Sequence, residues 1–295
     1  MKRHIRITLF LIVVLSLLIL THTGCSERQN THQSSDGDSA NTVRVSFIDV
    51  GKGDCILIQA GGSSAVIDTG YENTADDVIS YLKDSGVTRL DCLVITHYDR
   101  DHIGGTQAIG EAFPIDIIYL PGYVGDDKNY RALTKAVKNL DVAAQAVGRV
   151  ERVQLGNAIL TILPTSLNYE PNASGGEGND NDLSIVATLT YGNDSYLFAG
   201  DLEKEGINAL LDSMTEQYDV LKMPHHGRKS SSTDELIESV QPQIAVITDS
   251  SDDPADKKVL KLLTSAGSEV YRTSKDGTIV IDSDGTGDYS VATNA

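Results

Sequence analysis

The pattern of hydrophobic and polar positions along residues 43–291 predicts two strand-rich halves, each interrupted by helices. Apolar runs that alternate with polar residues, or that end at turn residues, predict strands at 43–48, 55–59, 64–68, 90–96, 115–120, 152–155, 158–163, 184–191, 195–199, 220–223 and 244–248. Apolar residues that recur every three or four positions predict helices at 74–85, 106–112, 129–140, 204–214, 233–240 and 256–266. The chain is expected to close with a hairpin through residues 275–277.

Two strand-rich halves with helices between the strands predict an α/β fold in four layers, an αββα sandwich with two packed sheets and helices outside. Residues 43–291 contain no linker-like segment that would separate two domains. We therefore expect this region to form one folded domain.

The first 25 residues have the pattern of a targeting segment. Three basic residues precede an apolar run at 7–20, which has the length of a signal peptide rather than that of a membrane span. Gly24-Cys25 then resembles a bacterial lipoprotein box, in which Cys25 would carry lipid. Ordinary signal cleavage and an uncleaved anchor are the alternatives, and each places the rest of the chain outside the cytoplasm. Residues 26–42 are almost devoid of apolar side chains and predict a flexible polar linker.

The acidic net charge of the chain disfavours some classes of binding partner. Its 295 residues carry a net charge of −18, and the first 24 residues contain basic but no acidic side chains. An acidic surface repels polyanions at long range and disfavours tight nonspecific binding of nucleic acid. A local basic groove or a bound metal would be needed to reverse this effect.

The cysteines do not form the pattern of a disulfide framework. Cys55 and Cys92 each lie in an apolar run and are expected to be buried in strands. A Cys55–Cys92 disulfide is the alternative if the two strands are neighbours.

Histidine and aspartate residues follow three of the predicted strands at the points where those strands end. These residues are His97, Asp99, Asp101, His102, Asp201, His225 and His226. All four histidines within residues 43–291 belong to this set. Strand ends in layered sheets lie along one rim, where their side chains can converge, and imidazole and carboxylate groups are ligands for divalent metals. The sequence therefore predicts a metal site.

The sequence of residues 97–105, His-Tyr-Asp-Arg-Asp-His-Ile-Gly-Gly, resembles the His-x-His-x-Asp-His motif of the metallo-β-lactamase fold, in the variant with Asp as the second ligand. Five further segments resemble other motifs of that family: residues 49–54, 67–70, 200–201, 221–227 and 267–277. Over about residues 43–285, the set resembles the extracellular hydrolase domain of ComEC-type DNA-uptake competence proteins.

This resemblance implies two divalent metal ions, zinc or alternatively manganese, bound at the matching positions. The implied ligands are His97 and Asp99 for the first ion, Asp101, His102 and either His226 or His225 for the second, and Asp201 as a bridge. Residues 103–200 contain no histidine, so Asn181, or alternatively Asp182, is expected to approach the first ion.

The neighbouring acidic residues have less specific expectations. Asp54 and Asp68 are expected to bond loop amides or to support the ligands from behind. Glu203 is expected either to assist proton transfer or simply to begin a surface helix.

The resemblance also implies an activity: extracytoplasmic hydrolysis of a phosphodiester, DNA or another, by a metal-bridging hydroxide. Asp101 would orient this hydroxide, and His225, if it is not a ligand, would protonate the leaving group. Arg228, Lys229 and Ser230 are expected to hold a phosphate. The expected partners are an anionic phosphoester substrate, with nucleic acid among the candidates, and the membrane through the N-terminal lipid or anchor. The alternatives are a non-catalytic metal-binding module and a hydrolase of lactams, lactones or other esters.

Overall fold

The computed structural model describes residues 42–164 and 180–294. All of the described residues lie within one compact unit. The predicted targeting segment and, apart from Thr42, the predicted linker lie outside the described residues. Within the described ranges, no helix is both long enough and apolar enough to span a bilayer.

The described residues form fifteen strands and eight α-helices. In chain order, strands β1 to β15 are Val43–Phe47, Ile56–Ala60, Ser63–Ile67, Cys92–Val94, Ile117–Pro121, Ala143–Val147, Glu151–Leu155, Ala158–Leu163, Val186–Tyr191, Asp194–Phe198, Val220–Lys222, Ile244–Ile247, Glu269–Arg272, Ile279–Ser283 and Tyr289–Thr293. Helices α1 to α8 are Ala75–Asp84, Arg100–Ile103, Thr106–Ala112, Lys128–Leu140, Lys204–Ser213, Thr233–Val240, Lys257–Ala266 and Thr273–Asp276. Short 3-10 turns lie at Glu72–Thr74, Asp180–Leu183 and Pro224–Gly227.

The strands form two mixed sheets. The first has the order β15-β14-β1-β2-β3-β4-β5-β6, and the second has the order β13-β12-β11-β10-β9-β8-β7. Pairing is parallel from β3 to β6 and from β10 to β13, and antiparallel elsewhere. Each parallel region contains successive strands linked through helices, as parallel neighbours require.

Both faces of each sheet are covered by apolar groups. In β2, Ile56 and Ile58 face the layer between the two sheets, where Phe198 of the second sheet also packs. Leu57 points the other way, into the cluster beneath α1, α3 and α4. A third cluster joins the second sheet to α5, α6 and α7. Strands buried on both faces are apolar throughout, and the prediction of a four-layer αββα sandwich is confirmed.

The predicted closing hairpin at residues 275–277 is wrong. Strand β13 belongs to the second sheet, whereas β14 belongs to the first, and the short helix α8 carries the chain between them. The hairpin at the end of the chain is instead formed by β14 and β15. Strand β6 was also not predicted, because its sequence Ala-Ala-Gln-Ala-Val is rich in alanine, which has a low strand propensity, and is mostly exposed at a sheet edge.

The alternative of a Cys55–Cys92 disulfide is also wrong. Both cysteines are free and buried. Cys55 packs in the outer cluster beneath the helices, whereas Cys92 of β4 faces the layer between the sheets. The two side chains therefore lie on opposite faces of the first sheet.

Candidate metal centre

The loop after β4 is held tightly against its neighbours. The carbonyl of His102 accepts hydrogen bonds from the backbone N–H and the hydroxyl of Thr69, at 2.6 and 2.9 Å. A Cβ atom on Gly105 would lie 2.5 Å from the Thr69 carbonyl, so only glycine fits there without a shift of the backbone. The two glycines that end the motif therefore allow the ligand loop to pack closely on residues 69–72.

Three histidines converge in the interior. His97, His102 and His226 are almost wholly buried, and the ring centroids of His97 and His102 lie 4.1 Å apart. The Nε2 atom of each of the three has no hydrogen-bond partner among the described residues. Asp201 Oδ2 lies 3.0 Å from His226 Nε2 and 3.4 Å from His102 Nε2.

These orphaned nitrogens fit a divalent metal. Two overlapping groups could each hold an ion: His97, His102 and Asp201 form one, and Asp101, His102 and His226 form the other. Buried polar atoms without a partner are costly in a folded protein. Imidazole and carboxylate groups are donors for zinc and for other divalent metals.

The opposite ring nitrogens orient the histidines. His102 Nδ1 lies 2.7 Å from Asp68 Oδ2, and His226 Nδ1 lies 2.9 Å from the carbonyl oxygen of Thr248. An Nδ1–H that donates to oxygen leaves the lone pair of Nε2 free for a metal. Asp68 thus supports a ligand from behind, which is the role expected for it.

Two carboxylates lie on the more open side of the cluster. Asp101 Oδ2 is 3.5 Å from His226 Nε2, and Asp99 Oδ2 is 3.7 Å from His97 Nε2. Burial raises the pKa of Asp101, but His226 and His102 outweigh it and hold this pKa below its usual range. The neighbouring His97 imidazole chiefly lowers the pKa of Asp99. Both groups are therefore carboxylates at neutral pH.

The structure separates the two adjacent histidines. His226 points into the cluster, whereas His225 is partly exposed and its Nδ1 lies 3.0 Å from Glu203 Oε1. Both residues have left-handed backbones, with φ of 47° and 52°, a conformation that is strained for side chains with a Cβ atom. Burial chiefly lowers the pKa of His225. The geometry makes His226 the ligand candidate and leaves His225 at the rim.

The sequence left open whether Asn181 or Asp182 approaches the first ion, and these two side chains have different partners in the structure. The side-chain amide of Asn181 donates to Glu203 Oε1 at 3.2 Å, and its buried Oδ1 has no hydrogen-bond partner within the described part of the chain. Asp182 instead accepts hydrogen bonds from the backbone N–H groups of Glu203 and Gly206, both at 2.8 Å. These N–H groups are unsatisfied at the start of α5. Asp182 is thus bound to the start of α5, whereas Asn181 keeps a free oxygen and stays the predicted ligand of the first ion.

Asp180 was not anticipated as part of the site. Burial raises its pKa, and the charge of Asp99 raises it further, while His97 lowers it. Asp180 therefore lies within electrostatic range of the first-ion side of the cluster. The signal for Asp180 in the sequence was an acidic residue directly before Asn181, the predicted ligand.

Lys222 was also missed. It is wholly buried in β11, where its Nζ forms an ion pair with Asp54 and lies 3.5 Å from Asp201 Oδ1. Burial lowers the pKa of Lys222, but Asp54 and Asp201 outweigh this effect and raise it. Asp54 also accepts a hydrogen bond from the Thr248 hydroxyl at 2.6 Å. A lysine inside an otherwise apolar strand was the signal that could have found it.

The expected phosphate-holding residues have protein partners instead. The guanidinium of Arg228 contacts both carboxylate oxygens of Asp253, at 2.8 and 2.6 Å. The ammonium of Lys229 donates to the carbonyl of Ser230 at 2.6 Å and pairs with Asp234. This three-residue segment is therefore not a free cationic patch.

Comparison with known proteins identifies the family. Residues 48–247 match the Metallo-beta-lactamase superfamily. The chain belongs to this superfamily, whose members are metal-dependent hydrolases, and the resemblance noted in the sequence is confirmed.

Two curated relatives and one solved structure indicate the branch and the fold. The chain is 29% identical to ComE operon protein 3 of Bacillus subtilis over 269 residues, which cover 83% of this chain and 33% of that protein. It is 28% identical to Competence protein ComA of Neisseria gonorrhoeae, covering 70% of this chain and 27% of that protein. The chain thus spans about a third of the length of these relatives or less. The metallo-beta-lactamase fold protein YhfI from Bacillus subtilis shares the fold, with a TM-score of 0.54, 13% identity and coverage of 80% of this chain and 98% of that one.

Replacement of Lys222 with methionine is expected to lower the free energy of unfolding by about 3–5 kcal/mol, because Asp54 and Asp201 would remain buried without their cation. Urea unfolding of the metal-free protein measures this effect. The matched control is Lys135→Met on the exposed face of α4, which is expected to change the free energy of unfolding by less than about 0.5 kcal/mol. Equal effects of the two substitutions would contradict the assigned role of Lys222.

Proposed function

We propose that this protein is an extracytoplasmic, two-metal phosphodiesterase, with DNA as the favoured substrate among phosphodiesters. The observation that carries the proposal is the convergence of three orphaned imidazole nitrogens on Asp201, beside the partly exposed Asp101 and Asp99. Two divalent cations would exceed the charge of these three carboxylates. The resulting positive centre would attract an anionic scissile group to a chain that otherwise carries −18. The competence-type relatives favour DNA.

The chemistry divides between the metals and the side chains. When bound, two divalent cations supply Lewis-acid charge that lowers the pKa of water toward about 7 and neutralises charge on the phosphate. His97, His102, His226 and the three aspartates would hold these ions. The carboxylate of Asp101, whose pKa lies below its usual range, accepts a hydrogen bond from the attacking water and orients it.

His225 is placed to deliver a proton to the leaving group. Glu203 at its Nδ1 steadies the ring and offsets part of the effect by which burial lowers the pKa of His225. Its partial exposure at the rim leaves it accessible to a substrate, whereas His226 is enclosed. This arrangement supports separate roles for the two adjacent histidines: His226 as ligand and His225 as general acid.

Replacement of Asp101 with alanine is expected to lower kcat for bis(p-nitrophenyl) phosphate by at least about 100-fold. The assay uses protein loaded with zinc or manganese, and metal analysis should find two ions per wild-type chain. Asp77→Ala, on the exposed face of α1, serves as control and should keep full activity. Full metal content without turnover would favour a non-catalytic module. Turnover of a lactam or lactone but of no phosphodiester would overturn the assignment of a phosphodiester substrate.

Replacement of His225 with alanine should lower kcat strongly only for substrates whose leaving group is strongly basic. Hydrolysis of dithymidylate expels a strongly basic alkoxide, so kcat is expected to fall about 100-fold. Hydrolysis of bis(p-nitrophenyl) phosphate expels a weakly basic phenolate, so kcat should change less than about threefold. Steady-state rates with both substrates measure the difference. An equal loss on both would show that His225 does not act as the acid.

The location outside the cytoplasm, with lipid on Cys25, is proposed from the sequence of residues 1–25. Replacement of Cys25 with alanine is expected to abolish labelling with radioactive palmitate and to shift the protein out of the membrane fraction. Retention in the membrane without label would favour an uncleaved anchor instead. Resistance of the wild-type protein to protease added to intact spheroplasts would contradict the proposed location.

A further inference from the structure

A cleft of about 830 Å³ opens beside the metal centre. Its walls include the loop around Lys52, the segment that begins at Tyr71, and Arg100. Arg100 immediately precedes Asp101, and the backbone N–H of Asp54 donates to the Asp101 carbonyl at 3.1 Å. The loops that position Asp101 therefore also form this cleft, and its volume lies within the range of small-molecule sites.

Cations and carboxylates balance along the walls of the cleft, although the protein as a whole carries −18. Lys52 and Arg228 share one partner, Asp253, with the Lys52 Nζ at 3.5 Å from Asp253 Oδ2. Arg100 takes part in no ion pair among the described residues. Its guanidinium carbon instead lies 5.2 Å from the centre of the Tyr71 ring. The exposed Glu72 is the other carboxylate of the cleft, so the lining carries no net negative charge on an otherwise acidic protein, and Arg100 keeps its charge without a carboxylate partner.

The chemistry of these groups matches a phosphate. A guanidinium and an ammonium that line the same cleft can both donate to phosphate oxygens. The 3.5 Å contact of Lys52 is long for a charge-assisted hydrogen bond, so Lys52 can exchange Asp253 for a phosphate oxygen at little cost. The Tyr71 ring, which also lines the cleft, carries the Arg100 guanidinium over its face and so positions this cation for a phosphate.

We propose that this cleft is a second phosphate subsite, which binds the phosphate next to the scissile one through Lys52 and Arg100. The substrate class that follows is a nucleic acid strand rather than a small phosphodiester. This inference rests on the proposed phosphodiesterase function. It adds residues that do not touch the metal cluster, and it explains how an acidic protein engages a polyanion.

The test compares substrates with one phosphate and with several. In the double variant Lys52→Gln/Arg100→Gln, KM for a single-stranded hexathymidylate is expected to rise about tenfold or more, as the loss of charge-assisted hydrogen bonds predicts. Both kcat and KM for bis(p-nitrophenyl) phosphate should change less than about twofold. The matched control is Lys138→Gln/Arg149→Gln, which removes two exposed cations elsewhere, and it should leave KM for both substrates unchanged.

A binding measurement separates this inference from the proposed activity. Fluorescence anisotropy of a labelled hexathymidylate, titrated with Asp101→Ala protein, reports affinity without turnover. Removal of Lys52 and Arg100 in that background should weaken binding and reduce the slope of log K against log salt by about 0.7 per lost contact. Unchanged affinity and slope would overturn the subsite, whatever the outcome for hydrolysis. A loss of binding for poly(glycerol phosphate) but not for hexathymidylate would overturn the nucleic acid assignment.

Discussion

Charge compensation at the rim shared by the two sheets is the constraint on which this structure depends. Asp54, Asp68 and Asp201 are almost wholly buried, and buried carboxylates are costly unless cations or donors meet them. Asp68 is hydrogen-bonded to His102 and Thr96. Asp54 forms an ion pair with Lys222 and accepts a hydrogen bond from Thr248. Asp201 lies close to the Lys222 ammonium and to imidazole Nε2 atoms that have no hydrogen-bond partner among the described residues. Added positive charge completes this balance, which makes the cluster a site for cations rather than a closed ion-pair network.

The same constraint ties the site to the packing of both sheets. His97 and His102 follow β4 of the first sheet, whereas Asp201 and His226 follow β10 and β11 of the second. Asp54 lies in a loop of the first sheet but is bound by Lys222 and Thr248 from the second. Displacement of either sheet would therefore leave carboxylates without partners and would also separate the ligands. Stability and function consequently rest on the same contacts.

Much of the fold was predictable because strands buried on both faces are continuous apolar runs, and helices between them show their own period. The failures have local causes. Strand β6 is rich in alanine and mostly exposed at an edge, so it lacks the run of large apolar residues by which a buried strand is recognised. The segment through residues 275–277 has the composition of a turn, but whether its flanking strands share a sheet is decided by distant pairing partners, Tyr271 with Val246 and Ile279 with Phe47.

The sequence by itself determined the donor types, their placement at strand ends and the family, because a motif of histidines, aspartates and glycines is a local property of the chain. Tertiary structure alone decided which donors meet. It enclosed His226 and left His225 at the rim, placed Asp182 on the start of α5, and brought Lys222 against Asp54 across 168 positions. Arg228 likewise pairs with Asp253 rather than standing free. These outcomes depend on burial and on long-range contacts, which local residue patterns do not encode.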